Sequence, residues 1–580
     1  MQKIRFNKRN QVYFSVVLFF YSIVSIVINN ITYPTQGVND DEFFAQLVSG
    51  EYTGSREAFT HISPASPQWA FGFIVSKFYV FDLNLSWYYL ILLITVLFSL
   101  AYVTTNVYVQ NNCAIEMKSL FIIILSILFL LWYVPSPTYT STAFICALSG
   151  ISKYFSIIDY DLKYKHYIIP SIFLGWSSSI RTESFLASLV FFTPFLFAIL
   201  LMSRKFIKKR IKQLILISII PITVSMINIF MDYQYFSKDE WKEYKVFNEV
   251  RYEIQDNEIE RIISENPSLY GWNEYEYRLF NNYNFISYDS FSGAKLISVR
   301  DKTQFNSSNQ FVFNINDVLK RWDTYFKPFY SIFMSSFFLF LYFIFDFLLS
   351  RRYKLLIQFT IITTFSLVTN LILLTGITIF LRLPERIVFP FSFFFPVLII
   401  LIALHVNKSS GIIVRNRLFF IVNVLLTFLF VYILWPTAKH LYTLKINPAY
   451  TSFWSEQKLF FEENAKERIL IGNASQFKSI WSNPYRKQLE GNKILNYSLG
   501  WYTFSPYWYE RGELLGLNTN SIIEELASNP KVVWVSDEQN VLDVIALISR
   551  QKSVDLEYQV LGTKTFDFGD YNIYSLIKKR

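Results

Sequence analysis

Asp40, Asp41 and Glu42 follow one another directly after Asn39, a few residues beyond the first long apolar run. Carboxylates this close together can take a proton from a hydroxyl as general base. They can also ligate a hard divalent cation such as magnesium or manganese, with Asp40 and Asp41 as the candidate ligands. The plainer account is a helix start: Asn39 or Asp40 caps, and the remaining acids fill a first turn where the helix dipole favours negative charge. The residue types leave both accounts open. The same stretch continues through Ser49-Gly50-Glu51-Tyr52-Thr53-Gly54 to His61, a candidate substrate contact whose plainer role is that of a polar interfacial residue.

Cations that would complement such acids stand elsewhere. Arg181 lies beside Glu183, and Arg382 and Arg386 flank Leu383-Pro384-Glu385. A guanidinium binds phosphate through two parallel N–H donors, so Arg181 and Arg386, with Glu183 beside them, are candidate substrate-phosphate residues. Snorkelling to an interface, or pairing with the neighbouring glutamate, is the plainer role for each. His166, His405 and His440 lack ligand spacing, and Cys113 and Cys146 make neither a disulfide framework nor a thiolate metal site.

These residues must be positioned by a very apolar chain. Of 580 residues, 52% are hydrophobic and 19% aromatic. A crossing needs about 20 apolar residues, and such windows recur. The expected fold is an α-helical polytopic membrane protein with about eleven spans, at 11–31, 87–108, 118–134, 138–158, 166–180, 184–203, 212–231, 327–349, 355–381, 387–406 and 414–435. The net charge of +10 sits beside these runs, which marks topology rather than nucleic-acid binding.

Lys3, Arg5, Lys8 and Arg9 precede the first run, and basic residues crowd 204–212, 351–354 and 408–417, so all four places are expected in the cytoplasm. Parity then requires that one of the six apolar segments between the first loop and Arg204 does not cross. The short stretch 68–81, with Lys77 and a leading Trp69, is expected to lie on the outer surface. The alternative, a single broken crossing over 166–203, would bury Arg181 and Glu183 in the bilayer. Loops 32–86 and 232–326 and everything after 435 then face outwards. The chain divides into a membrane domain, 1–435, and a small extracytoplasmic α/β domain, 436–580, with extended runs at 468–471, 531–535 and 571–576. Trp241, Tyr244, Phe247 and Arg251 fall at helical spacing, read as an amphipathic helix on the membrane domain. The aromatic run from Trp501 to Trp508 reads as packing before sugar stacking.

A first span, an outside loop opening with paired acids, an interfacial helix, many spans and an extracytoplasmic α/β domain together resemble the GT-C glycosyltransferases. In layout the chain is similar to the protein O-mannosyltransferases and the lipid A aminoarabinose transferases, although Ser63-Pro64-Ala65-Ser66-Pro67 stands where a Lys-Pro-Pro-Leu type stretch is usual. The resemblance implies a sugar donor on polyprenyl phosphate, with Asp40 and Asp41, then Glu42, at the reaction centre. It also implies a glycan, lipid or protein acceptor and a multi-pass place in the plasma membrane. A polysaccharide polymerase or ligase, a flippase and a non-enzymatic assembly subunit are the competing readings. Against the flippase, few ionisable residues mark a pathway through the spans, Asp346 being an exception.

Overall fold

Long runs of Ile, Leu and Phe with few charges fold as helices in a bilayer because each segment then satisfies its own backbone hydrogen bonds. A computed structural model of the chain describes residues 8–32, 39–56, 68–82, 85–110, 117–158, 164–202, 207–255, 263–307, 315–380, 385–407, 417–445, 448–464, 467–477, 494–566 and 569–579. Among these, seven helices are long and apolar enough to cross a membrane: Arg9–Ile31, Trp87–Gln110, Lys208–Phe236, Trp322–Leu349, Tyr353–Ile377, Glu385–Asn407 and Val424–Thr443. The eleven spans expected are therefore not all of full length. Lys118–Tyr133 and Thr182–Ala198 are apolar but shorter, and Tyr139–Ile157 and Lys165–Ile180 are rich in serine and threonine.

Packing divides the chain into two compact units, each discontinuous in sequence. A bundle unit comprises Met1–Tyr33, Tyr89–Ile229 and Asn314–Asn447; a polar unit comprises Pro34–Tyr88, Phe230–Phe313 and Pro448–Arg580. In the bundle, Glu385–Asn407 is the central helix, 94% buried over its most apolar stretch against 22% for Arg9–Ile31. Hydrocarbon gives apolar helices no reason to leave lipid for one another, so small residues and hydroxyls do the joining. A Cβ at Gly150 would come within 2.8 Å of Leu174, and the Ser177 and Ser171 hydroxyls donate to the Ala143 and Ile217 carbonyls at 2.7 and 2.8 Å.

Helices Lys165–Ile180 and Thr182–Met202 break at Arg181, whose backbone is extended, and pack against each other. They are a hairpin rather than one broken crossing. The segment 68–81 forms a helix of 10 residues, Trp69–Phe78, within the polar unit. At 1.5 Å per residue it is about 15 Å long, half a bilayer core of about 30 Å.

The polar unit contains a sheet of β1 (Ile469–Asn473), β2 (Leu495–Leu499), β3 (Val532–Ser536), β4 (Leu556–Phe566) and β5 (Gly569–Lys578), in the order β2-β1-β3-β5-β4. β1 pairs in parallel with β2 and β3, while β5 runs antiparallel to β3 and β4. β1 and β3 are apolar and buried, as strands covered on both faces must be, and Phe460, Phe461 and Phe477 fill the core beside Leu470, Val533 and Val535. The helix Arg417–Lys445 runs past residue 435, so the polar segment starts at Pro448 rather than 436.

Helix Glu538–Lys552, capped by Asp537 on the Asn540 N–H, holds the middle segment against this sheet. Arg278 donates to both Asp543 oxygens, at 2.9 and 2.6 Å; Asn284 donates to Asn540 Oδ1, and Gln551 to the Ser287 hydroxyl.

Candidate active site

Helix Asn39–Ser49 begins with the three acids in its first turn, where their charge suits the helix dipole. It stops at Gly50, whose φ of 82° is a left-handed conformation that a side chain would strain. The Gly50 N–H donates to the Leu47 carbonyl, and those of Glu51 and Tyr52 to Gln46. Successive helical side chains point about 100° apart, so the acids fan out to different neighbours.

Asp40 is half-buried, and the Trp501 indole N–H donates to its Oδ1 at 2.7 Å. Asp41 is fully buried, with the Tyr88 hydroxyl donating to its Oδ1 at 2.8 Å. Glu42, also buried, accepts from Gln46 Nε2 at 3.1 Å.

Residues 495–511 surround this helix with aromatic rings. Tyr502 stacks on Phe43 at 4.1 Å and 4°, and Tyr52 meets Phe43 edge-on at 4.7 Å. Buried Arg511 lies over Tyr52 at 5.6 Å and donates to the carbonyls of Glu51 at 3.1 Å and Asn496 at 3.4 Å. Burial raises the phenols of Tyr52, Tyr497 and Tyr502 above their ordinary 10.0; at Tyr52 the Arg511 charge opposes this and the Glu42 charge adds to it. Burial also lowers Arg511 below its usual 12.5.

The stripe Trp241, Tyr244, Phe247 and Arg251 is the buried face of helix Asp239–Gln255, as its spacing predicts. Its partner is corrected. The Tyr244 hydroxyl donates to the Trp501 carbonyl at 3.1 Å, Trp241 packs edge-on against Tyr507, and Phe247 against Phe504. The stripe states that an apolar partner exists without saying which segment supplies it.

In the bundle unit Arg181 brings its guanidinium, and Arg386 its backbone carbonyl, to one helix start. Thr138 caps helix Tyr139–Ile157, accepting from the Ser141 N–H at 3.3 Å. Arg181, 8% exposed, donates from Nη1 to the Thr140 hydroxyl, lies over Tyr139 at 5.3 Å, and pairs through Nε with Glu183 at 3.6 Å. The Ser141 hydroxyl donates to the Arg386 carbonyl at 3.1 Å, and the Trp132 indole N–H donates to Glu385 at 2.8 Å. A helix N-terminus set among hydroxyls and guanidinium suits an anion.

His61 and Arg382 lie outside the described residues. Among the described residues no three His, Cys, Asp or Glu side chains gather as a cation site, and Oδ1 of Asp40 and of Asp41 are each taken by a neutral donor. The contacts of Trp501, Tyr88 and Arg511 carried no signal in the sequence: the Trp501–Asp40 bond joins residues 461 positions apart.

No family model matches the chain, and no curated protein matches it in sequence. Two solved structures are similar in overall course. ArnT from Cupriavidus metallidurans in the apo state shares 10% identity over 97% of both chains, with a TM-score of 0.38. ArnT from the same organism bound to undecaprenyl phosphate shares 11% over 97% of both, with a TM-score of 0.36. Likeness of this size leaves site and reaction to be argued from the chain's own residues.

Proposed function

We propose that the chain is a plasma-membrane glycosyltransferase that moves a sugar from polyprenyl phosphate to an extracytoplasmic glycan, lipid or protein, with inversion. The observation that carries this reading is Asp40: a half-buried carboxylate in the first turn of a helix just beyond the first span, one oxygen fixed by an indole N–H. In the reaction, Asp40 takes the proton of the acceptor hydroxyl as that oxygen bonds to the anomeric carbon. The bond from that carbon to the phosphate oxygen breaks, and polyprenyl phosphate leaves with the electron pair. Within the bundle unit, Arg181 beside the N-terminus of helix Tyr139–Ile157 offers a guanidinium and helix-start donors of the kind that hold a phosphate, with Arg386 the other candidate.

Topology supports the same reading. A compact unit built from 34–88, 230–313 and 448–580 has all three segments on one side of a bilayer. Among the described residues, six helices of 16 or more residues lie between the first two segments and four between the last two, both even numbers. Counted with the first span these would make the eleven crossings expected, with the basic stretches at the N-terminus and at 204–212 both on the cytoplasmic side. Cations inside puts the polar unit outside.

The test uses membranes bearing the full chain, supplied with polyprenyl-phosphate-linked hexoses labelled in the sugar. Asp40→Asn should lower transfer by about 100-fold or more at unchanged protein level. Asp41→Asn, which keeps an acceptor for Tyr88, should cost less. Undiminished transfer in Asp40→Asn would overturn the reading.

A further inference from the structure

We propose that Trp501 is a positioning residue for Asp40, so that the C-terminal segment sets the geometry of a reaction carried out by the first loop. This rests on Asp40 as the base. Among the contacts between the acidic helix and residues 495–511, three are spaced along its length. At its start the Trp501 N–H meets Asp40 Oδ1 at 2.7 Å; in its first turns Phe43 stacks on Tyr502; just beyond its end Arg511 donates to the Glu51 carbonyl at 3.1 Å. The second joins ring to ring and the third meets a backbone carbonyl past the helix end, so of the three the indole is the one that touches the carboxylate.

Were packing the whole role of Trp501, its ring would suffice. Its edge-on and tilted contacts with Phe43, Tyr502 and Phe44 would be kept by a phenylalanine. The N–H adds direction. With Oδ1 tied down, the carboxylate plane is set, and a base held to within a fraction of an ångström avoids searching for its proton at each turnover. The Trp501 backbone is itself tied to the middle segment, because the Tyr244 hydroxyl donates to the Trp501 carbonyl at 3.1 Å. Asp40, Trp501 and Tyr244 thus form a relay across the three segments of the polar unit.

The experiment measures kcat and KM for a labelled polyprenyl-phosphate-linked hexose in membranes bearing wild type, Trp501→Phe, Tyr244→Phe or Asp40→Asn. Trp501→Phe keeps the ring and removes the donor, so kcat should fall by about tenfold with KM unchanged, the usual size for a lost hydrogen bond to a charged group. Tyr244→Phe should lower kcat by a smaller factor, again at constant KM. Wild-type kcat in Trp501→Phe overturns the proposal, and so does a raised KM at constant kcat, which would make the indole a substrate contact. If Trp501→Phe does not accumulate, Tyr244→Phe decides: a kcat equal to wild type overturns the relay. Full activity in Asp40→Asn would instead sink the base assignment, whatever Trp501→Phe does.

Discussion

The arginine-bearing end of the bundle and the acid-bearing helix of the polar unit hold their charges in different ways. In the bundle, the Arg181 guanidinium donates to the Thr140 hydroxyl, the Glu385 carboxylate accepts from the Trp132 indole, and Ser141 holds the Arg386 backbone through its carbonyl. In the polar unit, Asp40 and Asp41 depend on Trp501 and Tyr88, and the rings behind them depend on a fold assembled from three separate segments. Charge at the bundle end is placed where helix ends pack side by side, whereas charge in the polar unit is placed by loops, sheet and short helices drawn from three segments of the chain.

That contrast can be broken by perturbing one region alone. The largest effect is expected from alkaline pH. Burial raises Tyr52, Tyr244, Tyr497 and Tyr502 above the ordinary 10.0, and pushes Tyr509 up to about 12. Neutral phenols are favoured in the folded unit, so their contribution is complete below pH 10 and is lost as pH rises through the raised values. Phenolate absorbance should rise late and together with loss of the near-ultraviolet circular dichroism of the polar unit, while the helical signal of the bundle persists. Early titration, with tertiary structure intact, would mean that these rings are not packed as described.

A smaller effect is expected from Asp543→Ala, which strips Arg278 of its two-pronged partner. Arg278 can turn to water, so the cost is about 2 kcal/mol rather than that of a stranded buried charge. Proteolysis of the 263–307 region should speed up while the bundle helices stay protected. The smallest effect belongs to Trp132→Phe. Losing the bond to Glu385 should cost about 1 kcal/mol and leave the polar unit's unfolding unchanged. Equal effects of the last two changes on both units would dissolve the distinction.

How much of this was readable in the sequence follows the same divide. Span ends, the acids beyond the first span, the Arg181 turn and the short helix at 69–78 are local features of hydropathy and charge, and they stand near where pattern puts them. The span count did not follow so directly, because helices of 16 and 17 residues fall below the length rule and rely on neighbours. β2 and β4 went unread. Leu495–Leu499 alternates apolar and polar residues, but over only five positions, too short a run to stand out before it is seen beside β1, and β4 finds its place against β5. The stripe from Trp241 to Arg251 was visible as a stripe, yet nothing in it names Trp501 or Phe504. Asp40, Asp41 and Glu42 looked equivalent as a run. Their separate roles come from a helical rotation that presents each to a different partner, one of them 461 positions away.

The interleaving of the polar unit also bears on how the molecule is made. A ribosome delivers the acids among the first fifty residues, then the spans, and the indole that orients Asp40 some four hundred and sixty residues later. β5, which lies between β3 and β4, is delivered after both and is needed to join them. During synthesis the acidic helix is therefore made long before the segment that supplies the donor to Asp40, and that contact can form only once the C-terminal segment has emerged.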